Sequence, residues 1–178
     1  MLELTYIETW LRNLNNEKEV KLSLPMEEEE LIEALKNINV CNEEGEVIQE
    51  YIIPAWNFGE DASELDCRDF ANIELENIFT VNEWAEELEK VDSERDLEVL
   101  QAIAEVNGGS IGEVLEIYNK GCYQFYQGMD LTDVAEEFVN ECYNLPDFAL
   151  RYFDFEAFGR DLGFDGYTET SNGVIYIE

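Results

Sequence analysis

The sequence contains no histidine, and lysine and arginine together supply only 10 of its 178 residues. Without histidine, Ser-His-Asp and Cys-His nucleophilic catalysis is excluded. The common zinc sites go with it, except an all-cysteine one. Cys41, Cys67, Cys122 and Cys142 are too dispersed for such a site and form no C-x-x-C pair. With no secretion signal they read as reduced, partly buried thiols. Neither GxxxxGK[ST] nor GxGxxG occurs, so no Gly-rich phosphate loop is present. No apolar run approaches the roughly 20 residues of a membrane span. The opening MLELTYIETW lacks the basic-then-apolar pattern of a signal peptide. A cytoplasmic location is therefore expected. The scarcity of lysine and arginine also argues against binding nucleic acid or anionic membranes, which needs clustered cations.

Against those few cations stand 43 acidic residues, for a formal net charge of -33 at pH 7. The chain is also 46% hydrophobic and 12% aromatic. Disorder needs low hydrophobicity beside high charge, so this is a folded body with an anionic coat. Solubility asks for a net charge of only about 2–8 on a small domain. Such a coat attracts basic clefts, divalent cations or polyamines. B-DNA carries one charge per ~1.7 Å of axis, so -33 equals the phosphates of roughly 16 base pairs. Salt adaptation is the alternative source of so much acid.

Hydrophobic periodicity predicts an α+β chain. Residues 4–10 and 20–24 read as short strands around a polar loop from Asn13 to Glu19. In MEEEELIEALKNI, Leu31, Leu35 and Ile38 share one helical face, and Glu27 to Glu30 fill the first turn, where the helix dipole favours carboxylates. EVIQEYIIPAW (46–56) reads as a strand and 57–66 as a linker. Thr80-x-x-Glu83 and Ser110-x-x-Glu113 are capping-box patterns, and Ser93 or Asp92 suits the start of a helix between them that Gly108-Gly109 stops. The predicted apolar faces are Trp84, Leu88 and Val91, then Leu97, Leu100 and Ile103. Residues 122–128 read as a strand, and Asp130 or Thr132 opens a helix burying Val134, Phe138 and Cys142. Asn172-Gly173 signals a closing hairpin with a type I′ turn. Three small units are expected in a row: an N-terminal α/β domain over 1–60, a central helical domain over 61–107, and a C-terminal α+β domain over 108–178.

No residue is assigned to catalysis, cofactor or metal. Residues 161–166, DLGFDG, would need an oxygen ligand where Gly163 stands and a glutamate where Asn172 stands to open an EF-hand loop. Carboxylate pairs occur by chance in so acidic a chain. The candidate partner-binding surface is the acid set itself: Glu27, Glu28, Glu29, Glu30, Glu33, Asp61, Glu64, Asp66, Asp69, Glu83, Glu86, Glu87, Glu94, Asp96, Glu98, Glu105, Glu113 and Glu116. On the helices these acids are expected off the apolar stripe. The aromatic run Tyr152, Phe153, Phe155 and Phe158 reads as core or oligomer contact.

The stretch YFDFEAFGRDL (152–162) resembles the signature of the ArdA antirestriction family, Y-[FI]-D-[YF]-[EQ]-A-[YF]-G-R-D-L. The match runs through Tyr152, Asp154, Phe155, Ala157, Gly159, Arg160, Asp161 and Leu162. Upstream, LPDFALRY and LEIYNKGCYQFYQGMDLTDVAEEFVNE are similar to the family's approach to it, and TETSNGVIYIE to its closing hairpin. The likeness covers most of 45–178 and is weaker over the first 40 residues. It implies an elongated three-domain chain and a curved homodimer whose acids imitate the phosphates of bent B-DNA. That dimer would occupy the DNA groove of type I restriction–modification enzymes and shield incoming plasmid or transposon DNA. The signature (Tyr152, Phe153, Asp154, Phe155, Ala157, Phe158, Gly159, Arg160 and Asp161) would serve dimer contacts. An RNA-guided nuclease as target, a generic acidic adaptor for basic proteins, and a metal-assisted carboxylate enzyme are the competing readings.

Overall fold

In the computed structural model, the described residues are 7–59, 64–91, 93–143 and 145–178. They form an α+β architecture of seven helices and two three-stranded antiparallel sheets.

The first sheet has the order β2-β1-β3, from β1 (Ile7–Asn13), β2 (Glu19–Leu24) and β3 (Tyr51–Phe58). Alternate residues of a strand face opposite sides, and β1 buries Ile7, Thr9, Leu11 and Asn13. The two polar members of that row are satisfied. The Thr9 hydroxyl donates to the Ala55 carbonyl at 3.0 Å. The Asn13 amide donates to the Ile38 and Asn39 carbonyls at 2.9 and 3.2 Å, tying the sheet to the end of α1 (Glu28–Asn37). Leu31 and Leu35 of α1 and Ile38 just beyond it are buried, as their spacing predicts. The third strand starts later than expected: Val47 and Ile48 are exposed, with only an isolated bridge from Cys41 to Val47. It also runs into the expected linker, where Phe58 and Leu65 are buried.

A single 3-10 turn at Cys67–Asp69 leads to α2 (Ile78–Leu88), α3 (Glu94–Asn107) and α4 (Ile111–Lys120). The Thr80 capping box does not form. The helix begins one turn earlier at Asn77, whose side chain accepts from the Phe79 N–H at 3.0 Å. The buried face is consequently Ile78, Val81, Asn82, Ala85 and Leu88, with Trp84 half-buried and Val91 buried beyond the helix end. Ser93 caps α3, and Gly108 ends it with φ +61°, a conformation glycine adopts without penalty. Asp92 lies outside the described residues. The Ser110 capping box is complete: the Glu113 N–H donates to the serine oxygen at 3.2 Å, and the Ser110 N–H donates to the Glu113 carboxylate at 2.7 Å.

The second sheet has the order β4-β6-β5, from β4 (Tyr123–Gln127), β5 (Thr168–Thr170) and β6 (Gly173–Ile177). Between β4 and β5 lie α5 (Leu131–Cys142), capped by Asp130, the short α6 (Asp147–Leu150), and α7 (Phe155–Phe164), which packs on α5. Val134 is buried in α5, whereas Cys142 is exposed at its end. The hairpin is present, but Thr170 pairs with Gly173, so its tip is Ser171-Asn172, one residue earlier than expected. Glycine is needed at 173, because a Cβ there would lie 2.2 Å from the Tyr126 carbonyl oxygen.

Strand β6 joins two cores. Ile175 belongs to a buried cluster that runs from Ile7 through Leu100 and Ile103 to Val114. Its neighbour Val174 faces the other way, with Val134, Ala135 and Leu162. The first cluster draws residues from all three segments 1–60, 61–107 and 108–178. Helices α1 to α4 thus keep one face on a common core and turn the other to solvent.

Candidate functional site

Some acids at the start of α1 and along α2 share a cleft. Glu27 to Glu30 and Glu33 are exposed on α1, and Glu83 and Glu86 are exposed on α2. Of these, Glu27, Glu30 and Glu86 share a cleft, whereas Glu28, Glu29, Glu33 and Glu83 do not line it; beside it Asn82, which is 5% exposed, accepts from the Met26 N–H at 2.9 Å while donating to the Met26 carbonyl at 3.0 Å. The same amide donates to Glu86 at 3.1 Å. The cleft, 530 Å³, is lined by Glu27, Glu30, Glu86 and Glu89 together with Pro25 and Met26. Glu89 was missed by sequence reasoning, because it falls at the helix end, where position relative to the apolar stripe is ambiguous.

A second acidic cleft of 470 Å³ lies between the 3-10 turn, α3 and the closing hairpin. It is lined by Glu64, Asp66, Asp69 and Glu105 around Gln101. Gln101 is 3% exposed and donates to Asp69 at 2.7 Å and to Glu105 at 3.2 Å, while its oxygen accepts from the Asp66 N–H at 2.7 Å. Glu105 also accepts from the Ser171 N–H at 2.8 Å, fixing the hairpin to α3. Arg68 grips Asp66, and this hydrogen bonding holds the Asp66 carboxyl down at about 2. Asp61 lies outside the described residues.

The other acids are placed singly. Glu94 is exposed and Asp96 sits in the cap of α3, its N–H donating to Ser93. Glu98 accepts from the Gln127 amide. Glu113 belongs to the capping box, and Glu116 pairs with Lys120 at 2.6 Å, which lowers its pKa. Glu87 pairs with Lys90. Glu64, Asp66, Asp69, Glu87, Asp96, Glu98 and Glu105 are half-buried, and the other described members of the set are exposed.

The signature residues divide into packing and surface. Asp154 caps α7, accepting from the Ala157 N–H at 2.9 Å. Phe155 and Phe158 pack on the second core, with the Phe153 ring 4.9 and 5.8 Å from theirs. Gly159 is buried against α5: a Cβ there would stand 2.6 Å from the Leu131 carbonyl oxygen. Ala157 is half-buried, Asp161 is exposed, and Arg160 pairs with Glu156 at 3.0 Å. Tyr152 is 87% exposed, with Phe148 and Phe164 also exposed nearby in sequence.

Among the described residues, no group of three or more His, Cys, Asp or Glu side chains is arranged to hold a metal ion. Asp161 to Phe164 lie in the last turns of α7, not in a loop that could wrap a cation. Among the described residues, no helix is long and apolar enough to cross a membrane. Chemically, the acid surface can accept hydrogen bonds and attract cationic groups.

A family model described as "Antirestriction protein (ArdA)" matches residues 18–176. The matched region reaches back through β2 and α1, beyond the stretch where the resemblance is most visible by motif. No curated protein matches the chain.

Proposed function

The chain belongs to the ArdA family of antirestriction proteins, non-catalytic inhibitors of restriction enzymes, and from that premise we propose that it works as a DNA mimic against type I restriction–modification enzymes. The observation that carries the reading is the acid coat of α1 to α4. Each helix buries an apolar face in one core and leaves carboxylates accessible on the other. Among the described residues six ion pairs, all between exposed or half-exposed side chains, neutralise only a small part of the acid.

The mechanism is competitive. A DNA channel gains affinity when its cations replace the counterions of phosphates. Carboxylates held on a folded scaffold offer the same channel a complementary field. Arginine grips a carboxylate through two parallel hydrogen bonds, as it grips phosphate. The mimic contains no phosphodiester to cleave and no base to methylate, so the enzyme is occupied without turnover. The reading extends to a homodimer joined through the 152–161 region, whose Tyr152 is free to meet a second copy, and to action in the bacterial cytoplasm on behalf of mobile-element DNA.

The test is cleavage of unmethylated plasmid by a purified type I enzyme, with this protein titrated in. Inhibition should saturate near two chains per enzyme. Reversing Glu86 or Glu98 alone to lysine should change the half-inhibiting concentration less than about threefold, because each carboxylate is one of many. Reversing Glu28, Glu30, Glu86 and Glu98 together should abolish inhibition. Complete loss from one reversal would point to a local site and overturn mimicry.

A further inference from the structure

We propose that an apolar groove beside the first sheet is a second binding face, one that takes a cationic protein segment carrying two or three apolar side chains. The groove, 460 Å³, is lined by Leu14, Val47, Ile52 and Leu75 and also by Glu50 and Glu76. Leu75 is 86% exposed, Val47 48% and Leu14 47%. Clustered exposure of large apolar side chains marks interaction surfaces, whereas scattered ones need no explanation. A phosphate-like surface has no use for them, so the acid-coat mechanism leaves this face unexplained.

The walls are tied together. The Leu14 N–H donates to the Glu50 carbonyl at 3.0 Å, and the Ile53 N–H to the Glu74 carbonyl at 2.9 Å. The Tyr51 hydroxyl accepts from the Ile78 N–H at 3.0 Å. The groove is thus preformed, which lowers the ordering cost of binding. An apolar centre with a polar rim is the usual anatomy of a protein interface.

Charge selects the occupant. Residues 37–67 and 69–89, which supply every wall except Leu14, contain no lysine or arginine. Glu46, Glu50 and Glu74 are exposed around the groove walls. A second copy of this chain would bring acid against acid, and like charges juxtaposed across an interface repel. A segment with lysines or arginines flanking its apolar anchors satisfies both the apolar walls and the acids. This face is distinct from the α1–α4 acid coat, so its occupation does not depend on DNA mimicry.

The experiment measures anisotropy of two labelled peptides against the full chain at about 0.5 M salt, where most exposed charge pairs are screened. One is an amphipathic leucine–lysine peptide; the other replaces every leucine with serine. The leucine peptide should bind about tenfold more tightly, and the double variant Val47→Ser, Leu75→Ser should bind both alike. That variant should displace duplex DNA from a restriction enzyme as well as the parent does, which separates this claim from mimicry. Equal binding of the two peptides to the parent, or an undiminished preference in the variant, overturns the proposal. In the unmutated protein, amide shifts on adding the leucine peptide should cluster at 47–52 and 75–77. Shifts confined to the acid helices would also overturn it.

Discussion

At the scale of single residues, Asp66 is a carboxylate of the acid coat held by a cation two positions along the chain. Asp66 is ordinary in sequence, one acid of 43. The 3-10 turn that follows it lets Arg68, two residues on, fold back and bond its carboxylate. Its folded pKa of about 2 lies below the ordinary value near 3.9. The contribution to stability is therefore complete above about pH 4 and is lost as pH falls through about 2. Arg68 is 85% exposed, so solvent screening keeps that contribution small. Carboxyl-carbon NMR titration should find Asp66 titrating near 2, and Arg68→Ala should return it towards 3.9; no movement would refute the pairing. Asn82 was unreadable for a different reason. Its two hydrogen bonds reach Met26, 56 residues away, and no local pattern announces a partner that distant.

Among the elements, the helices were legible where a local signal met the core without a rival. Leu31 and Leu35 needed only their spacing, and the Ser110 box formed as its residues predict. Thr80-x-x-Glu83 has the same pattern and failed. Asn77 offered an earlier cap, and starting there buries Ile78 as well, so packing chose between two valid starts. The closing hairpin slipped by one residue for a related reason: Gly173 is needed inside the ladder, where Tyr126 leaves no room for a Cβ. Gly159 has the same logic in the helix pair α5–α7. In the sequence it belongs to a family signature; in the fold it lets α7 lie directly on the start of α5. Gly159→Ala must push the helices apart and should cost about 1–3 kcal/mol. Urea unfolding would register this as a lower midpoint, and an unchanged midpoint would show that α7 does not pack as described.

For the whole molecule, charge was the most legible property and its arrangement the least. Composition alone gives -33 and rules out histidine chemistry. It cannot show that Glu27 and Glu30 share a cleft with Glu86 and Glu89, because that depends on Asn82 of α2 bonding Met26 just before α1. Nor could it show that Glu64, Asp66, Asp69 and Glu105 share a cleft, since they come from opposite sides of α2 in the chain. In the proposed function these carboxylates stand in for DNA phosphates. The most direct measurement is displacement of a labelled duplex from a purified type I methyltransferase core, titrated with this protein at low and at physiological salt. Mimicry predicts complete displacement at near two chains per enzyme, with an affinity that falls steeply as salt rises. A duplex that stays bound in the presence of excess protein, or a displacement indifferent to salt, would contradict it.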